Sequence, residues 1–313
     1  MFEEPEEPPK KIIFTGLDNG GKSSIILALQ RQIAKIATLT PTKMVERSSF
    51  EFLDYKIVKH DLGGQKKYLI NYLRQPGKYF ADTSVMIYVI DLQDFTRFEE
   101  SLSYYSDVLE KLEEMELEPI IYIFFHKAER ILLEGDPESE KFLEGEGKRR
   151  VDNLTKKIDE ISGEKYQIEY KLTTIFDLWS IISAFSEIML ELYPQSILLD
   201  KTLQEFALAE NLEALLLLDA HSLTLAQYYR NREAQAILQA STPYFLTLLD
   251  SWKPFKKQVD RKRMNVLLNN YNFLFLEIKE SSSPLYFLAM GAEPLMIENF
   301  EPFSKTILGI LEQ

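Results

Sequence analysis

The sequence has no cysteine among its 313 residues. This absence excludes disulfides, thiolate metal sites, a cysteine nucleophile, and prenyl or palmitoyl anchors. With only three histidines and no cysteine, we do not expect a zinc site. No apolar run approaches the roughly 20 residues that cross a bilayer. The start, MFEEPEEPP, matches neither a signal peptide nor a myristoylation signal, so we expect a cytoplasmic protein.

Basic residues are also in deficit. The chain has 36 lysines and arginines against 49 acidic residues, a net charge of −13. This balance argues against binding to nucleic acid or directly to an anionic membrane. We therefore expect contact with membranes only through partner proteins. Residues 1–9, acidic and rich in proline, are expected to form a disordered tail.

The remaining sequence divides into two patterns. From 10 to 195, apolar strand segments alternate with helical segments, which predicts an α/β domain with a mostly parallel sheet. From 196 to 313 the predicted order is α-β-β-α-β-β-β-α with short connections. That order predicts a smaller α+β domain built on an antiparallel sheet.

The segment GLDNGGKS, Gly16 to Ser23, fits the phosphate-loop pattern G-x-x-x-x-G-K-[ST] between a buried strand and a helix. Glycines let backbone N–H groups turn toward phosphates, and the following helix directs its positive end at them. Lys22 is placed to reach the β- and γ-phosphates, and the Ser23 hydroxyl to bind Mg²⁺. The predicted nucleotide-binding residues here are Asp18, Asn19, Gly20, Gly21, Lys22, Ser23 and Ser24.

A second motif, Asp61-Leu-Gly-Gly-Gln65, follows another strand. An acidic residue at this position is suited to hold Mg²⁺. Gly63 and Gly64 would present a backbone N–H to the γ-phosphate, and Gln65 is the predicted catalytic residue because it can orient the attacking water. The alternative is a simple tight turn that uses two glycines.

These two motifs resemble those of the Arf-like and Rag branches of small GTPases. The segments YVIDLQDF, HKAE and TTIFDLWSII are more similar to the Rag/Gtr family, and the likeness covers nearly the whole chain. That family carries His-Lys-x-Asp where most GTPases have Asn-Lys-x-Asp. It also has a C-terminal roadblock/longin-type dimerisation domain, which fits the predicted order after residue 196. The resemblance implies binding of GTP and GDP with Mg²⁺.

By position, the resemblance assigns further roles. Thr42, in the first switch segment, would bind Mg²⁺ and sense the γ-phosphate, although Thr40 is an alternative. Lys127 would lay its aliphatic stem along the base, and His126 would brace the loops. Thr174 and Ile175, with the preceding Thr173, would form the last base-contacting loop.

Glu129 departs from the family pattern, which has aspartate at the base-reading position. A carboxylate there accepts two hydrogen bonds from guanine, and adenine cannot offer both. Because glutamate is one methylene longer, either the pocket shifts or guanine selection weakens.

Beyond Lys22, no arginine is indicated as a catalytic finger, so hydrolysis is expected to be slow and to need an activating partner. The resemblance implies GTPase-activating and exchange proteins as partners. It also implies a homodimer, or a heterodimer with a related GTPase or roadblock-type protein. The alternatives are a scaffold that holds nucleotide without hydrolysing it and an Arf-like membrane-traffic switch.

Overall fold

The computed structural model describes residues 10–30, 35–36, 42, 45–52, 55–132, 147–192, 196–219, 222–252, 263–278 and 284–311. The chain divides into two compact units, Met1–Ile181 and Ile182–Gln313. The predicted acidic tail and the predicted domain boundary at residue 195 lie outside the described residues, as does Thr40. The division between the units falls inside a helix, Leu178–Leu192.

The first unit alternates strands and helices. In chain order its elements are β1 (Lys10–Thr15), α1 (Lys22–Leu29), β2 (Val45–Phe52), β3 (Tyr55–Leu62), α2 (Lys66–Arg74), α3 (Pro76–Tyr79), β4 (Thr83–Asp91), a 3-10 turn (Phe95–Arg97), α4 (Phe98–Glu114), β5 (Ile120–His126), α5 (Glu129–Leu132), α6 (Gly147–Ser162), β6 (Ile168–Thr173) and the start of α7 (Leu178–Leu192).

Its strands form one mostly parallel sheet in the order β2-β3-β1-β4-β5-β6. Only the β2–β3 pair is antiparallel among these described strands. The central strands β4 and β5 are buried along almost their whole length, as continuous apolar strands of a parallel sheet must be. The parallel strands all end at one edge of the sheet, where α/β folds place their ligand sites.

Buried tyrosines fix α4 against this sheet. The Tyr88 ring on β4 meets the Tyr105 ring edge to face, with 5.0 Å between centroids. The Tyr88 hydroxyl donates to the Ser101 carbonyl at 2.7 Å, and the Tyr104 hydroxyl lies 3.1 Å from Thr15 Oγ1. Since a buried hydroxyl without a partner is costly, these bonds make the aromatic packing specific. The Thr15 contact holds the last residue of β1, directly before the phosphate loop.

The second unit starts with the rest of α7 and continues as α8 (Ser196–Ala209), β7 (Ala214–Leu218), β8 (Thr224–Tyr229), α9 (Arg232–Trp252), β9 (Arg263–Leu268), β10 (Tyr271–Glu277), β11 (Tyr286–Gly291) and α10 (Ile297–Leu311). Its sheet is antiparallel, in the order β8-β7-β11-β10-β9. The central strands β7 and β11 are fully buried. The edge strand β9 is exposed or half-buried at every position.

The predicted fold class is confirmed: a mostly parallel α/β unit is followed by an α+β unit with the predicted order of elements. The first of the two antiparallel strands that lead to the Asp61 motif begins at Val45, which faces Leu62 in the register with β3. Helix α9 is described as far as Trp252, and the residues that follow it up to 262 lie outside the described residues.

Candidate functional site

A cleft of about 350 Å³ opens in the first unit where the phosphate loop faces the segment after β3. It is lined by Asp18, Asn19, Gly21, Lys22, Ser23, Ser24, Ile36, Thr42, Gly64, Gln65 and Lys127. All but Ile36 are residues that the sequence analysis selected. The selected residues come from four separate stretches of the chain, and three of these stretches follow the ends of the parallel strands β1, β3 and β5 at one edge of the sheet.

Lys22 lies almost completely buried at the bottom of the phosphate loop. Its ammonium donates to the carbonyls of Gly16 at 2.9 Å and Leu17 at 2.7 Å. Burial lowers the pKa of Lys22 to about 8, while the nearby carboxylates of Asp61 and Asp18 act to raise it. Because burial has removed water from this ammonium, an anionic ligand that contacts it would stabilise its charged form. This property suits a lysine that binds phosphate.

Close backbone packing explains two of the motif glycines. Gly21 has φ +95°, and a Cβ there would lie 2.3 Å from His126 Cδ2. A Cβ on Gly64 would lie 2.2 Å from the Asp18 nitrogen, whose N–H donates to the Gly64 carbonyl at 3.0 Å. The Asp61–Gln65 segment thus packs directly on the phosphate loop through backbone atoms. Gly20 and Gly63, also selected from the sequence, are buried in the same two loops and do not line the cleft.

Three side-chain oxygens converge beside Lys22. Ser23 Oγ donates to Asp61 Oδ2 at 2.5 Å and lies 2.8 Å from Thr42 Oγ1, which is 3.3 Å from the same carboxylate oxygen. Asp61 is 4% exposed, and its other oxygen, Oδ1, is buried with no hydrogen-bond partner within the described part of the chain. A compact set of hard oxygen donors with an unsatisfied carboxylate oxygen fits Mg²⁺.

Protein groups alone would not complete such a metal site. The described residues contain no group of three histidine, aspartate or glutamate side chains that could hold a metal ion. Magnesium is commonly held by one or two carboxylates together with substrate phosphates and water. The donor set of Ser23, Thr42 and Asp61 is therefore the kind that binds Mg²⁺ together with a phosphate ligand.

Gln65 stands at the rim of the cleft, immediately before α2. Its backbone is extended, and its carbonyl accepts the N–H groups of Tyr68 at 2.7 Å and Leu69 at 3.1 Å. The side chain is half-buried and lines the cleft. The start of α2 thus fixes the Gln65 backbone beside the cleft.

His126 connects the phosphate loop with β6. It is 1% exposed, it packs against Gly21, and its Nδ1 lies 3.0 Å from Thr173 Oγ1. Burial lowers the pKa of His126 to about 4, and the charge of Lys127 lowers it further, against an opposing effect of Asp91. The imidazole is consequently neutral at pH 7 and contacts both the phosphate loop, at Gly21, and the end of β6, at Thr173.

Lys127 and Glu129 form a second group of contacts, which we call the HKAE end together with His126, Gln93 and Thr174. Lys127 has φ +60°, and its ammonium lies 2.6 Å from Asp91 Oδ2. Thr174 Oγ1 donates to Glu129 Oε2 at 2.9 Å, and the Gln93 amide donates to Glu129 Oε1 and to the Lys127 carbonyl. The longer glutamate is thus held at both carboxylate oxygens.

Some of the predicted site residues do not line the cleft themselves. Glu129 and Thr174 contact each other beside the cleft without lining it, and Asp61 reaches it through Ser23. Ile175 follows Thr174 in the turn before α7 and is not among the lining residues. Thr42 contacts Ser23 and Asp61, whereas the alternative, Thr40, lies outside the described residues.

Sequence reasoning missed Asp91, Gln93 and Arg97. Asp91 ends an apolar strand at the ligand edge of the sheet, so its position could have drawn attention. Gln93 follows in the same loop, inside the segment YVIDLQDF, which supported the family resemblance without assigning a role to this residue. Arg97 reaches the phosphate loop from the 3-10 turn and hydrogen-bonds Asp18, 79 residues earlier in the chain, which no local pattern signals.

Fold and site together define a small GTPase of the Rag/Arf-like type. Residues 11–244 match the family model described as the Gtr1/RagA G protein conserved region. The chain belongs to the Gtr1/RagA G protein family, and the resemblance drawn from its motifs is confirmed.

Individual relatives are Arf-like proteins. The chain is 33% identical over 126 residues to ADP-ribosylation factor-like protein 3 of Chlamydomonas reinhardtii, 35% over 99 residues to ADP-ribosylation factor-like protein 13B of the same organism, and 32% over 95 residues to ADP-ribosylation factor-like protein 2 of Dictyostelium discoideum. These matches use 40%, 32% and 30% of this chain. They cover 67%, 18% and 48% of the relatives, so two of the three are matched over less than two thirds of their length.

Among solved structures, the chain is similar to the Arl6 (BBS3) small GTPase from Trypanosoma brucei, which was solved with the nucleotide analogue GppNp bound. The TM-score is 0.43 at 19% identity, with 58% of this chain and 96% of that chain covered. In the part of the chain that the structure describes, no helix has the length and apolar character needed to cross a membrane.

Proposed function

We propose that the chain is a GTP-binding switch that binds GTP and GDP with Mg²⁺, hydrolyses GTP slowly, and signals its nucleotide state to protein partners. The observation that carries this proposal is the convergence of Lys22, Gln65 and the Ser23–Thr42–Asp61 oxygen cluster on one cleft. A glycine-rich loop that arose by chance would not place a lysine ammonium, three oxygen atoms suited to bind Mg²⁺ and a glutamine side chain at the same cleft.

Each group has a separate task. Lys22 supplies buried positive charge for phosphate oxygens, and the first-turn N–H groups of α1 add donors. Ser23, Thr42 and Asp61 hold Mg²⁺, which supplies charge neutralisation on the phosphate oxygens. Gln65 orients the attacking water. Because Thr42 belongs to a segment separate from the phosphate loop, its link to Ser23 is the contact through which nucleotide state would reach a switch surface.

The proposal is tested by titrating a fluorescent GTP analogue into nucleotide-stripped protein with and without millimolar Mg²⁺. Binding by the unmodified chain is expected to weaken strongly when Mg²⁺ is removed. The Ser23→Asn variant should lose most of this Mg²⁺ dependence. Ser103→Asn, the same change on the exposed face of α4, is the matched control. Equal Mg²⁺ dependence in both variants would contradict the assignment of the metal site.

Hydrolysis distinguishes a switch from a scaffold that only holds nucleotide. Gln65→Leu is expected to slow single-turnover hydrolysis by roughly 10- to 100-fold while GTP affinity stays within about twofold, because the amide acts on the attacking water. Gln204→Leu, on an exposed face of α8, controls for the loss of a glutamine. If the unmodified chain hydrolyses nothing above background, the scaffold alternative is correct.

The second unit is proposed to be a roadblock/longin-like dimerisation domain that joins two chains. Support comes from the edge strand β9, where Leu267 and Leu268 are 71% and 56% exposed. An exposed edge strand offers unpaired backbone groups to another strand. The partner would be a second copy of this chain or a related GTPase.

The dimer proposal is tested on the full-length chain by light scattering across a dilution series. Leu267→Glu should shift the chain toward monomer, whereas Leu208→Glu, an exposed leucine of α8, should leave the mass unchanged. A monomer at tens of micromolar would contradict a homodimer. In that case co-expression with a related chain decides whether a heterodimer forms.

A further inference from the structure

An acidic side chain lies where the proposed ligand brings its own negative charge. Asp18 lines the cleft together with Lys22 and belongs to the phosphate loop itself. An uncompensated carboxylate beside a polyphosphate would repel it, and would partly cancel the attraction supplied by Lys22. Some group must therefore offset Asp18 if the cleft is to accept a nucleotide triphosphate.

Arg97 makes this compensation. Its Nη2 lies 2.8 Å from Asp18 Oδ1, and its Nη1 donates to the Asp18 carbonyl at 3.3 Å. One guanidinium thus contacts both the charged side chain and the backbone of the same loop residue. A planar fork of donors makes such a double contact with a fixed geometry, which a lysine cannot reproduce.

The guanidinium is itself held in place from its other edge. Arg97 Nε donates to Glu100 Oε2 at 2.8 Å, and the Arg97 N–H donates to the Asp94 carbonyl at 3.1 Å within the 3-10 turn. The carboxylates of Glu100 and Asp18 raise the pKa of Arg97 against the opposing effect of burial, so it stays charged throughout. The turn Phe95–Arg97 and the start of α4 therefore present a fixed positive charge to the loop.

The two charges also act on Lys22 in opposite directions. Beyond the effect of burial, Asp18 raises the pKa of Lys22 and Arg97 lowers it. The pair is about a third exposed, so each charge is partly screened by water. What matters for ligand binding is the difference between the two cases: without Arg97 the region beside the phosphate loop loses one positive charge, and the Asp18 carboxylate loses its ion-pair partner.

We propose that Arg97 is a positioning residue for the phosphate loop, which neutralises Asp18 and holds it in the conformation that accepts nucleotide triphosphates. This inference rests on the proposed nucleotide-binding function. Arg97 itself need not touch the ligand. Because a triphosphate carries more negative charge than a diphosphate, the effect of Arg97 should be larger for GTP than for GDP.

The test is a double-mutant cycle on the full-length chain, with equilibrium binding of fluorescent GTP and GDP analogues as the readout. Arg97→Gln is expected to weaken binding of the GTP analogue about fivefold, the upper range for an exposed ion pair, and to weaken the GDP analogue less. Adding Asp18→Asn to Arg97→Gln should bring GTP affinity to within about twofold of Asp18→Asn alone. The effect should shrink as salt is raised.

Two further variants keep the test decisive. Arg149→Gln, an exposed arginine of α6, is the matched control and should bind normally. Should Arg97→Gln fail to fold, the comparison of Asp18→Asn with the Asp18→Asn/Arg97→Gln double variant decides, because removing Arg97 should change GTP affinity by less than about twofold once residue 18 carries no charge. A loss of about fivefold between these two variants would overturn the proposal.

The remaining outcomes are also informative. Unchanged GTP affinity in Arg97→Gln would overturn the proposal, as would a loss that Asp18→Asn does not rescue. In either case the unmodified chain would still bind nucleotide. If the unmodified chain binds neither analogue, the proposed function itself fails, and this result is distinct from any difference among the variants.

Discussion

The two ends of the site differ in the groups that form them: one end consists mainly of backbone groups and the other of interacting side chains. At the phosphate-loop end, residues 16–24 and 61–65, backbone groups and glycines pack against each other, and a single buried cation lies among carbonyls. At the HKAE end, side chains from three separate loops hold one another, with Gln93 and Thr174 on the Glu129 carboxylate. A backbone cradle depends on a short local motif, whereas a side-chain network depends on residues that are distant in the sequence.

This difference predicts separate consequences for mutations at the two ends. The phosphate-loop end should set how tightly any nucleotide binds. The HKAE end should set which base is preferred, with a smaller effect on overall affinity.

The largest effect is expected for Lys22→Ala. Its removal takes away the buried charge for phosphates, so affinity for GTP and for ATP should both fall by roughly 100-fold or more. Competition binding against a fluorescent GTP analogue measures both affinities. Lys148→Ala, an exposed lysine of α6, is the control. A loss confined to GTP would break the proposed division between the two ends.

A smaller effect, on selectivity, is expected for Glu129→Ala. Hydrogen bonds to a charged acceptor contribute about 1.5–3 kcal/mol each, so the preference for GTP over ATP should fall by roughly 10- to 100-fold. Affinity for ATP should change by less than about threefold if the carboxylate reads only guanine. The same competition assay gives both values. An equal loss for both nucleotides would mean that Glu129 supports the loop and does not select the base.

Acid stability should distinguish His126 from the rest of the site. Its folded-state pKa is lowered to about 4 by burial, so between pH 4 and 6.5 the unfolded chain binds more protons and stability falls as pH drops. Between pH 6.5 and 5.5, the free energy of unfolding of the unmodified chain should therefore fall by about 1 kcal/mol more than that of His126→Asn. Urea unfolding of both chains at the two pH values measures this. His60, whose pKa burial also lowers to about 4, is present in both chains and cancels in the comparison. Parallel pH dependences in the two chains would show that His126 does not titrate as its burial requires.

The smallest effect is expected for Gln93→Leu. Its amide holds Glu129 from the side opposite Thr174, and a partly exposed hydrogen bond of this kind contributes about 0.5–1 kcal/mol. The preference for GTP over ATP should therefore fall by about threefold, without the larger loss seen in Glu129→Ala. Gln75→Leu, at the exposed end of α2, is the control. No change in preference would mean that Thr174 alone positions the carboxylate.

The contrast between the ends also explains what the sequence could predict. Alternating apolar segments were enough for the sheet classes and element order, since burial on both faces demands continuous apolar strands. The phosphate-loop residues were predictable because glycine conformations and a lysine at fixed spacing are local requirements. Gln93 and Arg97 were not, because their partners Glu129 and Asp18 lie 36 and 79 residues away and the pairings arise only when the sheet forms.

Glu129, which stands where the family has aspartate, was only partly predictable from the sequence. The sequence predicted that its longer side chain requires either a shift of the pocket or weaker guanine selection. The structure adds that Gln93 and Thr174 hold the glutamate at both oxygens, so a shorter aspartate would be placed away from these donors. Replacement by the residue more usual in the family is therefore not expected to be neutral in this chain.

The central claim is that this cleft binds a guanine nucleotide together with Mg²⁺. The most direct test is calorimetric titration of the nucleotide-stripped, full-length chain with GTP and with ATP, in Mg²⁺ and again in excess chelator. The account predicts GTP binding that is at least about 100-fold tighter than ATP binding, and that weakens strongly when Mg²⁺ is removed. Equal affinities for GTP and ATP, or GTP binding that is indifferent to Mg²⁺, would contradict it.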